Sequence, residues 1–246
     1  MLKALALDFD GVIFDGLNEC VLVTWFGHHG GSAADFGPEG LSVIPSEFVT
    51  RFTACRAYAK HLGHFYLSFA EALDDVLDQA GFDALYAATP SLEIEAFVDK
   101  ATRFRALARD ACRPEWLNQQ RVYQGMDRML SSSQLPVYIV TAKDADSVLE
   151  LLEHVGVSLE RSRVFGELRD KLSALRSVCE REGAAPHEIG VVDDNVLNAL
   201  AAKNNGYSAR WALWGYQARG HREIARANDL RGIEVEQLLG GSTWAS

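Results

Sequence analysis

The sequence has few of the features that mark several protein classes. Its four cysteines form no CxxC pair, which excludes the common zinc sites and a small disulfide scaffold, so we expect reduced thiols. It contains no run close to the ~20 apolar residues of a membrane helix. The first residues, Met1-Leu2-Lys3, do not form a signal peptide. We therefore expect a cytoplasmic protein that does not bind membranes.

Positive charge is scarce. The 246 residues include 24 Lys and Arg against 34 Asp and Glu, a net charge of −10, and they form no basic run. Such a chain is not attracted to nucleic acid or to an anionic membrane surface, so any anionic ligand must be held by local groups. The length suits one domain with a large insertion, or two small domains.

What the sequence does have is an alternation of short apolar runs with helical patterns. Three runs predict buried strands, and they span residues 3–8, 136–141 and 188–193, with a weaker one at 207–214. Between them, helical patterns over 147–155, 172–182 and 196–205 are each followed by a glycine, the usual stop signal. This alternation predicts an α/β fold with a doubly wound, mostly parallel sheet.

One connection is too long for this scheme. The strands that end at Asp8 and Thr141 are separated by far more chain than the dozen or so residues of a crossover. Two apolar stripes at helical spacing fill the gap: Phe65, Phe69, Leu73, Val76 and Leu77, then Ile94, Phe97, Ala101, Phe104 and Ala108. We predict a helical insertion at 16–118 within a core of 1–15 and 119–246, with Gly11 and Gly16 at its entry and Pro114 at its exit.

Polar residues follow the predicted strands. Because the carboxyl ends of parallel strands lie along one edge, that edge should gather Asp8, Asp10, Thr141, Lys171, Asp193 and Asp194. Neighbouring carboxylates repel by about 4 kcal/mol per pair at 4 Å. A lysine and a divalent cation would offset this repulsion, and an all-oxygen ligand set suits Mg²⁺.

These segments resemble the four motifs of the haloacid dehalogenase-like phosphatase superfamily. The matching segments, in order, are Asp8-Phe-Asp-Gly-Val, Val140-Thr141, Lys171 and Val192-Asp193-Asp194. The long segment directly after the first motif resembles the helical cap of the C1 type. The resemblance implies a Rossmann-like core with an inserted cap.

The resemblance also implies a role for each motif residue. Asp8 would attack phosphorus and form an aspartyl-phosphate, and Asp10 would act as acid and then base. Thr141 and Lys171 would bind the transferring phosphoryl group. The implied Mg²⁺ ligands are Asp8, Asp10 through its backbone carbonyl, Asp193 and Asp194. Because a halide leaves unprotonated, an acid at Asp10 favours phosphate chemistry over dehalogenation.

Two positions depart from the common pattern. In the fourth motif, Asn198 stands where a second aspartate is usual, so it is either a neutral ligand or a structural hydrogen-bonding group. Lys143 is an alternative to Lys171 as the phosphate-site lysine. We favour Lys171, because it follows a strand and opens a helix, and we expect Lys143 to be a solvated residue early in a helix.

The expected substrate is a small phosphorylated metabolite. Candidate substrate-binding residues are Gly11, Ala142 and Lys143 at the strand edge, and Arg51 and Arg56 in the insertion. Two alternatives to hydrolysis remain open: a phosphomutase, and a non-catalytic module that binds phosphate or a partner. The sequence predicts neither the substrate's identity nor an oligomeric state.

Overall fold

A computed structural model describes residues 1–37, 39–240 and 244. The chain forms two compact units. The first combines Met1–Asp15 with the chain from Val122 onward, and the second is Gly16–Arg121. The sequence predicts an insertion at 16–118, and the second unit covers Gly16–Arg121.

The secondary structure alternates in the first unit and is mainly helical in the second. The strands are β1 (Ala4–Leu7), β2 (Phe14–Asp15), β3 (Arg121–Val122), β4 (Val137–Val140), β5 (Val164–Phe165), β6 (Ile189–Asp193), β7 (Ser208–Ala212) and β8 (Gly232–Ile233). The helices are α1 (Leu17–His29), α2 (Ser46–Tyr58), α3 (Gln79–Ala88), α4 (Ser91–Ala111), α5 (Arg113–Asn118), α6 (Met126–Ser132), α7 (Ala145–His154), α8 (Leu172–Glu182), α9 (Val196–Asn204), α10 (His221–Ala227) and α11 (Val235–Leu239).

The first unit is built on a six-stranded parallel sheet in the order β5-β4-β1-β6-β7-β8. Its central strand β1 is fully buried because both of its edges are paired, with Leu5 opposite Val137 on one side and Gly190 on the other. Small and branched side chains of β1 and β6 pack against α8 and α9. The predicted doubly wound α/β fold is confirmed.

The helices of this unit match the predicted periodicity closely. The helix predicted over 172–182 is α8, and its end at Gly183 has the left-handed conformation that glycine adopts without strain. The segment predicted over 196–205 is α9, which ends one residue earlier. The predicted strands are shorter than their apolar runs, since β7 covers only Ser208–Ala212.

The second unit confirms one predicted helical stripe and corrects the other. Ile94, Phe97, Ala101, Phe104 and Ala108 all lie buried on one face of α4. The stripe over 65–77 is not an α-helix. It consists of two 3₁₀ segments, Leu62–Phe69 and Glu71–Asp75, separated by extended backbone at Ala70.

Pro114 lies in the first turn of α5, where its missing N–H costs nothing, and the second unit extends beyond it to Arg121. Inside the insertion, Glu19 is fully buried and accepts hydrogen bonds from Arg105 Nε at 2.6 Å and Trp116 Nε1 at 3.3 Å. This buried ion pair ties α1 to α4 and α5.

In the described part of the chain, no helix has the length and apolar character needed to cross a membrane. All four cysteines are free thiols.

Candidate active site

The site lies where the strand order reverses. From β1 the chain adds β4 and β5 on one side of the sheet, then β6, β7 and β8 on the other. The carboxyl ends of β1 and β6 therefore border the crevice in which open α/β sheets bind ligands. Asp8 follows β1, and Asp193 ends β6 with Asp194 next to it. The sheet thus brings together carboxylates that are about 185 residues apart in sequence.

Lys171 joins the two sides of this crevice. Its Nζ lies 2.7 Å from Asp8 Oδ2 and 2.8 Å from Asp193 Oδ2. Burial opposes the charge on this ammonium, but the adjacent carboxylates of Asp193 and Asp8 outweigh that effect and raise the pKa of Lys171. Lys171 is therefore a fixed positive charge beside the candidate nucleophile.

Asp193 is held on both carboxylate oxygens. Oδ2 contacts Lys171, while Oδ1 accepts hydrogen bonds from Asn195 N at 2.9 Å and Asn198 Nδ2 at 3.4 Å. Asn198 thus donates to Asp193, which favours the structural interpretation of this residue over the ligand one. Burial raises the pKa of Asp193, against the opposing effect of Lys171. The cap of α9 is Asn195, whose side chain accepts from two backbone N–H groups, so Asp193 and Asp194 do not fill that role.

Asp194 lies between two glycines, Gly11 and Gly215, which together we call the glycine cradle. A Cβ at Gly11 would lie 2.1 Å from Asp194 Oδ2, and a Cβ at Gly215 would lie 2.3 Å from Asp194 Cβ. The same Oδ2 accepts a hydrogen bond from Tyr216 N at 2.9 Å. The close approach of backbone on both sides fixes this carboxylate and explains why glycine is needed at both positions.

Gly11 also has a structural role in the turn after β1. Its φ of +88° suits glycine, and its N–H donates to Phe14 O at 2.7 Å. The predicted role of Gly11 in substrate binding stays a prediction.

The three carboxylates fit a small divalent cation. One oxygen each from Asp8, Asp193 and Asp194 lie within 4.8 Å of one another. An octahedral Mg²⁺ with bonds of about 2.1 Å places its ligand oxygens about 3–4 Å apart. An all-carboxylate set held by close backbone packing therefore matches Mg²⁺ chemistry. The carboxylate of Asp10 is outside this group.

Thr141 follows β4, the strand next to β1 in the sheet. Thr141 is 2% exposed, and its backbone bonds to Phe165 O and Leu168 N. Its Oγ1 accepts from Lys143 N at 3.2 Å, a bond that does not use the hydroxyl proton. Ala142, between them, is half-buried.

Lys143 is not the solvated residue that we expected. Its side chain is fully buried, and its Nζ lies 3.4 Å from Asp10 Oδ1. It precedes α7, whose N-cap is Asp144. The expectation failed because a lysine near a helix start is ordinarily exposed, and sequence spacing did not show that Asp10 approaches this position.

The two arginines proposed for substrate binding have partners within the insertion. Arg51 makes a two-point contact with Asp74, at 3.0 and 2.9 Å. Arg56 is 9% exposed, and its guanidinium lies over the ring of Phe65 at 5.7 Å. Their role toward a substrate stays a prediction.

Three aromatic residues in and just after β7 donate hydrogen bonds from their side chains. Trp211 Nε1 donates to Asp194 O, and Trp214 Nε1 donates to Val12 O. Tyr216 OH donates to Asp15 Oδ1 at 2.8 Å. The glycine between Trp214 and Tyr216 is the sequence feature that could have indicated a close approach here.

A comparison with protein families identifies the family of this chain. A family model described as haloacid dehalogenase-like hydrolase matches residues 2–206. Similar solved structures include a predicted phosphatase from Clostridium acetobutylicum, with 14% identity, a TM-score of 0.65 and 98% of each chain covered. A predicted phosphoglycolate phosphatase from Haemophilus somnus has 17% identity, a TM-score of 0.62 and 98% of each chain covered.

A third similar structure is a HAD family hydrolase from Deinococcus radiodurans with bound phosphate and sodium. It has 14% identity and a TM-score of 0.57, and the match covers 98% of this chain and 94% of that one. At such identities the likeness shows the fold. No curated protein matches the sequence.

Proposed function

This chain belongs to the haloacid dehalogenase-like hydrolase family, and on that premise we propose that it hydrolyses a small phosphomonoester through an aspartyl-phosphate, with Mg²⁺ as cofactor. The observation that carries the proposal is Lys171, whose Nζ contacts Asp8 and Asp193 at 2.7 and 2.8 Å. That contact places a fixed cation beside the nucleophile, where phosphate charge must be neutralised.

The first half-reaction transfers the phosphoryl group to the protein. An Asp8 carboxylate oxygen forms a bond to phosphorus while the bond to the leaving oxygen breaks. The leaving oxygen takes the proton of Asp10 and departs as an alcohol. Thr141 donates its hydroxyl to a phosphoryl oxygen, and Lys171 balances charge on the nucleophile and the phosphoryl group.

The second half-reaction releases phosphate. A water forms the new bond to phosphorus and gives its proton to Asp10, now a base. The bond between phosphorus and Asp8 breaks, which restores the Asp8 carboxylate. Bound Mg²⁺ would supply charge stabilisation on the phosphoryl oxygens and would be held by Asp8, Asp193, Asp194 and the backbone carbonyl of Asp10.

The substrate class follows from charge and from the insertion. The acidic chain, with a net charge of −10, does not attract polyanions such as nucleic acid. We propose that the helical insertion selects among small phosphorylated metabolites, with Arg51 and Arg56 as candidate contacts. The solved structures named as predicted phosphatases are in keeping with this substrate class.

The test is phosphate release from a panel of small phosphomonoesters in the presence of Mg²⁺. Asp8→Asn keeps the size of the side chain but removes its charge and nucleophilicity, so turnover should vanish in a folded protein. Asp146→Asn makes the same chemical change on α7 at a side chain that is 71% exposed, and it should keep wild-type turnover.

A covalent probe separates the competing interpretations. Wild-type protein quenched during turnover should carry a hydroxylamine-labile phosphate, and Asp8→Asn should carry none. Turnover near wild type in folded Asp8→Asn would refute the covalent route. Phosphate moving to a second hydroxyl of the substrate would identify a mutase, and tight binding without turnover would identify a binding module.

A further inference from the structure

Lys143 is a buried cation beside the candidate acid and base. Its side chain is fully buried, and its Nζ lies 3.4 Å from Asp10 Oδ1 and 3.5 Å from Asp10 Oδ2. We propose that Lys143 is a positioning residue that holds the Asp10 carboxylate in the orientation needed for proton transfer. The inference rests on the proposed function of Asp10.

The backbone of Lys143 is fixed on both sides. Its N–H donates to Thr141 Oγ1 at 3.2 Å, and its carbonyl accepts from Glu167 N at 3.0 Å. A Cβ at Gly166 would lie 2.8 Å from the Lys143 carbonyl oxygen, so the loop after β5 is packed directly against this peptide. The ammonium is thus carried by a rigid segment rather than by a mobile loop.

The loop that holds Lys143 adopts a costly conformation. Glu167 has a φ of +58°, in the left-handed region that non-glycine residues adopt at a cost of order 1 kcal/mol. In this conformation the Glu167 N–H donates a hydrogen bond to the Lys143 carbonyl oxygen. Strain of this kind persists where the surrounding structure holds it, and the hydrogen bond from Glu167 N to the Lys143 carbonyl oxygen is one of the contacts that do so here.

Asp10 needs such a partner. Its side chain is 14% exposed, so the carboxylate can rotate toward solvent unless a partner holds it. A proton donor must hold its oxygen within about 2.6–3.2 Å of the leaving group. The Lys143 ammonium is almost equally distant from both Asp10 carboxylate oxygens. Its charge therefore favours the orientation of Asp10 in which both oxygens face it. Each catalytic aspartate therefore has its own lysine, Lys171 for Asp8 and Lys143 for Asp10.

Two substrates with different leaving groups test this role of Lys143. An alkyl phosphate needs its leaving oxygen protonated, whereas 4-nitrophenyl phosphate has a good leaving group and depends little on the acid. Lys143→Met keeps side-chain length and burial but removes the charge. We expect kcat/KM for the alkyl phosphate to fall about 10- to 100-fold, and that for 4-nitrophenyl phosphate to fall less than about 3-fold.

Three companion variants sharpen the test. Lys143→Arg should recover most of the alkyl phosphate activity, because it restores the cation. In an Asp10→Asn background, Lys143→Met should cause no further loss, since the residue that it positions has lost its function. Lys100→Met, at an exposed lysine of α4, is the matched control and should behave as wild type.

Several results would overturn the inference. An equal loss with both substrates, or a rise in KM alone, would mean that Lys143 binds the phosphate itself. An unchanged kcat/KM in Lys143→Met would exclude any role. If the wild-type protein releases phosphate from neither substrate, the proposed function fails. In that case a crystal structure of Lys143→Met tests the positioning role without an activity measurement. An Asp10 side chain that keeps its rotamer in this variant would show that Lys143 does not orient it.

Discussion

The glycine cradle around Asp194 makes a sharp prediction for Gly215→Ala. The added methyl carbon would lie 2.3 Å from Asp194 Cβ and 2.4 Å from Gly11 O, where ordinary contacts begin at 3.4 Å. Neither neighbour is the free end of a flexible side chain. The new Cβ and these two atoms must therefore separate by about 1 Å, and the Asp194 carboxylate must move with them.

The expected effect follows from that displacement. A misplacement of about 1 Å in a catalytic site costs on the order of 10²-fold in rate, which corresponds to about 2.7 kcal/mol. We expect kcat/KM at a fixed, subsaturating Mg²⁺ concentration to fall by that order, and the half-saturating Mg²⁺ concentration to rise at least about 10-fold. Thermal melting should show that the variant is folded.

Steady-state phosphate release measured across a Mg²⁺ titration checks this prediction. The matched control is Gly81→Ala in α3, where an added Cβ would have its nearest neighbour at 3.5 Å, an ordinary contact. A folded Gly215→Ala with the wild-type kcat/KM and the wild-type Mg²⁺ requirement would refute the assignment of Asp194 as a metal ligand held by this cradle.

Three further predictions concern the metal, the insertion and pH. Asp194→Ala should raise the half-saturating Mg²⁺ concentration more than Asn198→Ala, and the reverse order would show that the fourth motif is wrongly assigned. Arg105→Met removes the cation that pairs with the fully buried Glu19 carboxylate, so denaturant unfolding should show that the free energy of unfolding falls by about 3–5 kcal/mol; a fall below about 1 kcal/mol would contradict this. Burial lowers the pKa of His221 to about 4, so the unfolded chain takes up this proton first as pH falls, and stability should decline by up to about 2 kcal/mol between pH 7 and 5. His221→Asn should flatten that decline, and an unchanged slope would contradict the assignment.

Much of the first unit was predictable because short stretches of sequence indicate its strands and helix ends. Apolar runs too short for a helix marked β1, β4 and β6, and glycines marked the ends of α8 and α9. The rule that parallel strands end at one edge was enough to expect Asp8, Thr141 and Asp193 together. That rule needs only the direction of the strands and not their order.

Other features depend on contacts that sequence spacing does not encode. The approach of Lys143 to Asp10, and of Gly215 to Asp194, brings together residues far apart in the chain through loops whose course follows no periodicity. The stripe over 65–77 failed for a different reason. Apolar spacing of three to four residues is compatible with consecutive 3₁₀ turns as well as with an α-helix.

The central place of β1 in the sheet has a consequence for how the protein is made. Both partners of β1 are distant in the chain, since Leu5 pairs with Val137 and with Gly190. During synthesis, the whole insertion leaves the ribosome before either partner exists, and its own contacts are nearer in sequence. We therefore expect the insertion to fold first, and both edges of β1 to stay unpaired until β4 and β6 have been synthesised. Over that interval β1, which precedes the proposed nucleophile Asp8, presents unpaired edges that favour aggregation.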